Sequence, residues 1–398
     1  MKLKQELKGK LDKGFCQAFG TLPERYFSAP GRTEIGGNHT DHQRGRVLAG
    51  AVNREILAAV RANGTRTIRI LSEGYPFCTL ELPAGQPVAA EKNTTMALLR
   101  GVAARFQALG FPVEGFDAYC VSTVLPGSGL SSSAAFEVLL GTILNGLFSR
   151  GTVPPAELAR IGQYAENVYF GKPCGLMDQI VSAQGGLVTI DFADREHPDI
   201  RPVNFDFSAC GHALCILSCG ADHANLTGEY AAVAEDFQAI CRCFDREVLT
   251  QVPEADFYAA IPMLRRVCGD RAVLRGIHEY EENRRALRQV QALEQGDFPG
   301  FLQLIRESGQ SSFMYLQNVI PSGAVRQQEM ALALALCDRS LGRAGAFRVH
   351  GGGFAGTVQA FVPLERLEQF RQQTEAVLGE GACQILSIRP QGGTELEG

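Results

Sequence analysis

Residues 126–135, Pro-Gly-Ser-Gly-Leu-Ser-Ser-Ser-Ala-Ala, constrain the fold more than any other stretch of the chain. A strand candidate, GFDAYCVSTVL (115–125), runs straight into them, and an apolar-rich run follows to Phe148. The order predicts strand, glycine turn and long buried helix. Gly127 and Gly129 let the backbone turn sharply and approach a ligand, and Ser131, Ser132 and Ser133 fall where the helix begins. Free N–H groups and the positive end of the dipole make a helix N-terminus an anion site. Hydroxyls placed there can hydrogen-bond phosphate oxygens or ligate magnesium. The lysine of Gly-x-x-x-x-Gly-Lys-Ser/Thr is missing, so this is a different phosphate loop or an ordinary glycine turn with a serine N-cap.

Three further segments concentrate polar chemistry. Ala29–His42 (APGRTEIGGNHTDH) packs an arginine, two carboxylates, an amide and two imidazoles into one loop. Such groups suit recognition of neighbouring hydroxyls, since carboxylates accept while amides and imidazoles both donate and accept. His39, Asp41 and His42 could instead hold a metal, although their spacing matches no recognised zinc signature. Gly171–Gln179 (GKPCGLMDQ) sets Asp178 among apolar residues just after a turn, where a carboxylate caps a helix or takes part in catalysis. Gly351–Gly356 (GGGFAG) implies close backbone packing.

The remaining chain reads as alternating helices and strands. Helices are predicted for residues 1–20, 94–110, 155–171, 278–298 and 365–382, strands for 185–194, 212–220 and 383–390, and strand, glycine turn and then strand or helix for 347–363. Within 46–73, Asn63-Gly64 separates two strand-like runs and predicts a hairpin. A soft boundary near 205 divides an N-terminal lobe, 1–205, from a C-terminal lobe, 206–398, with termini that can interlock.

With 45% hydrophobic and 20% charged residues, net charge −5 and no basic block, the chain has ample core material and no footprint for nucleic acid. Twelve scattered cysteines without a Cys-x-x-Cys pair in their densest group point to free thiols in a reducing compartment. No stretch is long and apolar enough to span a bilayer, and the charged N-terminus lacks a signal-peptide core. A cytoplasmic protein with no membrane partner is expected, and the oligomeric state is not legible.

GRTEIGGNHTDH, PGSGLSSSAA, GKPCGLMDQ and HGGGFAG, in that order, resemble the motifs of galactokinases, within the GHMP family of small-molecule kinases that includes mevalonate and homoserine kinases. The resemblance spans about Pro23 to Pro363. It implies a two-lobed α/β (α+β) fold with mixed sheets, packed helices and an active site between the lobes. It also implies ATP, Mg²⁺ and transfer of the γ-phosphoryl group to the anomeric hydroxyl of a small-molecule sugar. By position, Asp178 resembles the catalytic aspartate and Arg32 its partner arginine; Ser133 and Glu166 match magnesium ligands. Asn38, His39, Asp41, Gly175 and Tyr230 align with sugar contacts, and Gly127, Ser128, Gly129, Leu130, Ser131, Ser132 and Ser133 with the nucleotide-phosphate loop. Arg32 can neutralise charge developing on the phosphoryl group, while Asp178 accepts the hydroxyl proton or orients the hydroxyl.

Against that pattern, Glu34 stands in place of an asparagine, Asn38 of a sugar-contacting glutamate, and His42 of a tyrosine; His350, Gly352 and Ala355 alter the last glycine motif. These departures bear on the sugar rather than the reaction. Galactose is expected first and galacturonate second. A small-alcohol kinase and a non-catalytic sugar sensor are the remaining readings.

Overall fold

The computed structural model describes residues 3–124, 127–220 and 226–397. Pro126 of the glycine turn and residues 221–225 of the stretch before Tyr230 lie outside the described residues.

Strands are numbered along the chain. The first sheet holds β1 (Arg25–Gly36), β2 (Arg46–Ala62), β3 (Thr67–Ser72), β4 (Cys78–Glu81), β5 (Phe116–Ser122), β6 (Leu187–Asp191) and β7 (Asp199–Pro202). The second holds β8 (His212–Ser218), β9 (Ala346–His350), β10 (Thr357–Pro363) and β11 (Cys383–Leu386). The last strand, β12 (Thr394–Leu396), returns to the first sheet and pairs with β1. The order is β12-β1-β2-β5-β3-β4, with β6 on the free part of β2 and β7 beyond it; β3 runs parallel to β5. The second sheet is antiparallel in the order β11-β8-β10-β9. Apart from β12, a cut near 205 separates one sheet from the other.

The helices are α1 (Gln5–Phe19), α2 (Thr95–Ala108), α3 (Ser132–Phe148), α4 (Pro155–Tyr164), α5 (Met177–Gln184), α6 (Thr227–Cys243), α7 (Glu254–Val267), α8 (Asp270–Glu294), α9 (Phe298–Ser311), α10 (Glu329–Leu341) and α11 (Leu367–Leu378). Every residue of α3 from Ala134 to Asn145 is buried, which explains why its sequence is mostly apolar on every side, with Glu137, Thr142 and Asn145 the polar exceptions. One core runs from Phe27, Val60 and Leu139 to Leu214, Ile216 and Phe361, so the two sheets are welded by shared packing. At the joint, Phe301 stands edge-on to Phe361 with centroids 5.2 Å apart, and Phe207 packs on both.

The hairpin expected at Asn63-Gly64 does not form. The turn exists, with Gly64 at φ 66°, but β5 lies between β2 and β3. Asn63 uses its amide to donate to Thr67 O and Asp117 Oδ1 while its Oδ1 accepts from Thr65 N. This turns the chain past β5 rather than back along β2. A turn signal specifies a reversal, not which strand will be the neighbour.

Candidate active site

The glycine turn delivers the chain to α3 with Gly127 at φ 75° and Gly129 at φ 71°. A side chain at Gly129 would collide with Thr357 and His350 of the second sheet, so the loop is pressed against the last glycine motif. Ser131 precedes α3 with φ 56° and makes no capping hydrogen bond to it. Its hydroxyl donates to Asp178 Oδ2 instead. The N–H groups of the first turn of this 17-residue buried helix therefore lack a side-chain cap and remain available to an anion.

Arg32 comes from the middle of β1 and is only 8% exposed. Its Nε and Nη2 donate to Asp178 Oδ1 and Oδ2 at 2.7 and 3.0 Å, and Nη1 to Gly129 O at 2.5 Å. One guanidinium thus joins the catalytic candidates to the glycine turn before α3. Asp178 sits in the first turn of α5. Burial by itself would raise its pKa, but Arg32 and the Ser131 hydroxyl outweigh that and hold the carboxyl below its ordinary value. Asp178 is therefore a carboxylate and a weak proton acceptor.

On the adjoining side, Ser133 Oγ donates to Glu166 Oε1 at 3.0 Å. Glu166 lies where α4 widens into a looser turn over Ala165–Phe170 and is 2% exposed. Gln179 Nε2 donates to Glu166 Oε2 and Glu137 Oε2, both at 3.0 Å, and Lys172 Nζ is 3.5 Å from Glu166 Oε1. Burial and the neighbouring Glu166 push the Glu137 carboxyl well up. A hydroxyl and one buried carboxylate at an anion-binding helix end are a donor set that fits Mg²⁺, which takes one or two carboxylates plus phosphate and water.

The third group meets around residues 37–42. His39, at φ 67°, donates from Nε2 to Gly352 O at 2.9 Å, and burial lowers its pKa to about 4. Asp41 Oδ2 lies so close to Gly175 that any side chain there would strike it. Tyr230 donates to Gly353 O and packs edge-on against Phe354. Asn38, His39 and Tyr230 thus meet at the last glycine motif, Asp41 and Gly175 lie against each other, and His42 is exposed.

Asn38, which the resemblance aligns with a sugar contact, is held by groups brought together from distant parts of the chain. It is 1% exposed and its amide is fully engaged: Nδ2 donates to Glu34 Oε1 and Gly351 O, and Oδ1 accepts from Asn318 Nδ2 and Ser312 Oγ. Glu34 points inward and pairs with the fully buried Arg348, Nη2 to Oε1 at 2.5 Å. Beneath this loop, Glu282 of α8 accepts from Gly37 N, Asn38 N and Ser308 Oγ and pairs with Arg285; burial alone would raise its pKa, but Arg285, His278, Arg348 and the Ser308 hydroxyl bring it down to about 2. His278 of the same helix donates to Asn38 O.

Sequence reasoning missed Gln179, Lys172, Arg348, Glu282 and Asn318. The first two lie inside a quoted motif and could have been taken from it. Glu282 belongs to a charged run whose pattern matches a solvated helix face, and nothing local marks it as buried.

Two sequence families match the chain: GHMP kinases N terminal domain over residues 97–186, and Galactokinase galactose-binding signature over residues 13–62. A galactokinase of Streptomyces coelicolor is 30% identical over 390 residues, 97% of each chain. Among solved structures, Lactococcus lactis galactokinase complexed with galactose superposes with TM-score 0.83 at 22% identity, covering 98% of this chain and 100% of that one. Methanococcus jannaschii mevalonate kinase gives TM-score 0.65 at 12% identity, covering 93% and 99%. No helix among the described residues is long and apolar enough to cross a membrane.

Proposed function

The chain belongs to the galactokinase branch of the GHMP kinases and phosphorylates a monosaccharide with ATP, and we propose that the sugar is galactose and the product galactose 1-phosphate. The observation that carries the site assignment is the Arg32–Asp178 pair at the uncapped N-terminus of α3. Phosphates of the nucleotide rest on the Gly127–Ser133 loop, where Ser133 and Glu166 would hold magnesium, which would neutralise phosphate charge. Arg32 faces the transferred group and offsets its developing charge. Asp178 accepts a hydrogen bond from the anomeric hydroxyl and orients its oxygen for in-line attack. A carboxylate already bound by a guanidinium and a hydroxyl takes the proton late, when the new O–P bond has made that hydroxyl acidic; a loose phosphoryl-transfer transition state demands no more.

His39, Asp41, Gly175 and Tyr230 line the sugar side. Asn38 acts by holding the 37–42 loop to Gly351 rather than by touching the sugar. The second reading, a galacturonate 1-kinase, is favoured by one observation: Glu34 is neutralised by Arg348, so neither it nor Asn38 presents a free negative charge. Against it, Arg348 is itself spent on Glu34 and Ile35 O and offers no cation to a sugar carboxylate. The test is kcat/KM for galactose, galacturonate, glucose and N-acetylgalactosamine at fixed ATP and magnesium. A preference for any sugar but galactose overturns the assignment.

A further inference from the structure

Cys243 is the last residue of α6, and Cys268 is the residue that ends α7. Their sulfurs lie 3.7 Å apart, and neither residue is fully buried. A disulfide needs about 2.05 Å, so the sulfurs have to close by roughly 1.7 Å in total. Both side chains stand at helix ends, where small backbone and rotamer shifts break few hydrogen bonds. The other close pair, Cys215 and Cys383, is buried in the second sheet, out of reach of a dissolved reagent. The 3.7 Å pair also sits where the fold can feel it. The segment after Cys243 grips the sugar-side loop: Leu249 N donates to Gln43 Oε1, Thr250 Oγ1 to Gln43 O, and Arg44 pairs with Glu247.

We infer that Cys243 and Cys268 form a thiol–disulfide exchange site that takes a low-molecular-weight disulfide and becomes an intramolecular disulfide. The Cys243 thiolate attacks one sulfur of the small disulfide, whose S–S bond breaks; a mixed disulfide forms and one small thiolate leaves, taking up the proton that Cys243 gave up. Cys268 then loses its proton and attacks the Cys243 sulfur, releasing the second small thiol. In sum, two protein thiols give up two electrons and two protons, and the small disulfide takes them to become two thiols. Burial and its contact with Cys243 push the Cys268 thiol up to about 11, which suits Cys268 to the later, intramolecular step. Arg242, next in sequence to Cys243, favours the Cys268 thiolate, and Asp236 opposes it.

The test is to incubate the full-length protein with oxidised and reduced glutathione in varied ratio, then map peptides without reduction. Exposed Cys16 is the internal control for reagent access. Under conditions that fully glutathionylate Cys16, the expected result is a Cys243–Cys268 cross-linked peptide that rises with the oxidised fraction and is reversed by dithiothreitol. In Cys268→Ser, glutathione stays on Cys243; in Cys243→Ser, no cross-link forms. Free thiols at both positions when Cys16 has reacted, or a stable glutathione adduct on Cys243 of the unsubstituted protein, overturns the inference.

Discussion

Arg32 holds Asp178 with two parallel hydrogen bonds, Nε to Oδ1 at 2.7 Å and Nη2 to Oδ2 at 3.0 Å, and β1 is thereby tied to the first turn of α5 across the start of the phosphate loop. Bidentate pairing fixes the carboxylate plane as well as its position. It aims Asp178 without a loop having to close, and lowers the basicity that a strong general base would need.

Asp178→Asn is expected to reduce kcat by about 100-fold or more while leaving ATP binding near normal, because the lost charge faces the sugar hydroxyl and Arg32. Arg32→Ala should match it in kcat. Isothermal titration with a non-hydrolysable nucleotide, alongside saturating kinetics, separates binding from turnover. Turnover unchanged in either variant removes that residue from the chemistry.

Ser133→Ala and Glu166→Gln should raise the magnesium concentration needed for half-maximal activity by roughly 10–100-fold. Both donors are oxygen atoms of one small site, 3.0 Å apart. The effects should therefore fall on magnesium dependence more than on sugar KM. A magnesium titration with the same midpoint as the parent protein would exclude the assigned ligand.

Much of this was legible because local chemistry dictated it. The Pro-Gly-Ser-Gly turn before an apolar-rich run specifies a loop at a buried helix N-terminus, and α3 starts at Ser132 as that pattern requires. The polar loop 29–42 and Asp178 were likewise marked by residue type. Partner choice was not legible. Asn63-Gly64 signals a turn whatever strand lies beside it, and β5, some fifty positions on, takes the place beside β2. The direction of Asn38 depends on Gly351, Ser312 and Asn318, which are near it only after the lobes have packed. The helix at 278–298 was legible, but the burial of α8's polar face, His278, Glu279, Glu282, Arg285 and Gln289, was not, because that charged pattern is the one a solvated face carries.

Stability should fall as pH drops from about 6.5 toward 4. Burial is the largest cause of lowered pKa values for His39, to about 4, and for His278 and His350. Each group binds its proton more weakly in the folded protein. In that window the unfolded chain therefore takes up protons that the native state refuses, and stability is present above 6.5 and lost going down. Thermal melts at half-unit pH steps should show this slope, and His39→Gln should flatten it. A parent Tm that stays level between 6.5 and 4 would contradict the burial of neutral imidazoles.

Arg348→Met should cost about 3–5 kcal/mol in urea unfolding, since it leaves the buried Glu34 carboxylate without its cation. Glu34→Gln should cost less, because an amide needs no counter-charge. Equal losses would mean that shape at Arg348, rather than charge, supports the loop.

The last expectation concerns position 38, where galactokinases carry a glutamate and a single exchange invites misreading. Asn38 Nδ2 donates to Glu34 Oε1 at 3.1 Å and Gly351 O at 2.6 Å. Asn38→Glu replaces that donor with a carboxylate facing two acceptors, one of them charged. In a site this buried, like charges a few ångströms apart and unpaired acceptors each cost on the order of 1–3 kcal/mol. The variant should therefore lose stability and all sugar activities together, rather than exchange one sugar for another. Glu34→Asn combined with Asn38→Glu restores an amide opposite a carboxylate and leaves Arg348 a carboxylate on the same loop. The pair should then be more stable than the sum of the single changes by about 1–3 kcal/mol. A double-mutant cycle in urea reads that coupling directly, and kcat/KM for galactose and galacturonate on the paired variant reads specificity separately. Additive losses would show that positions 34 and 38 act independently. A stable Asn38→Glu protein with altered sugar preference would show that the Asn38 side chain faces the sugar after all.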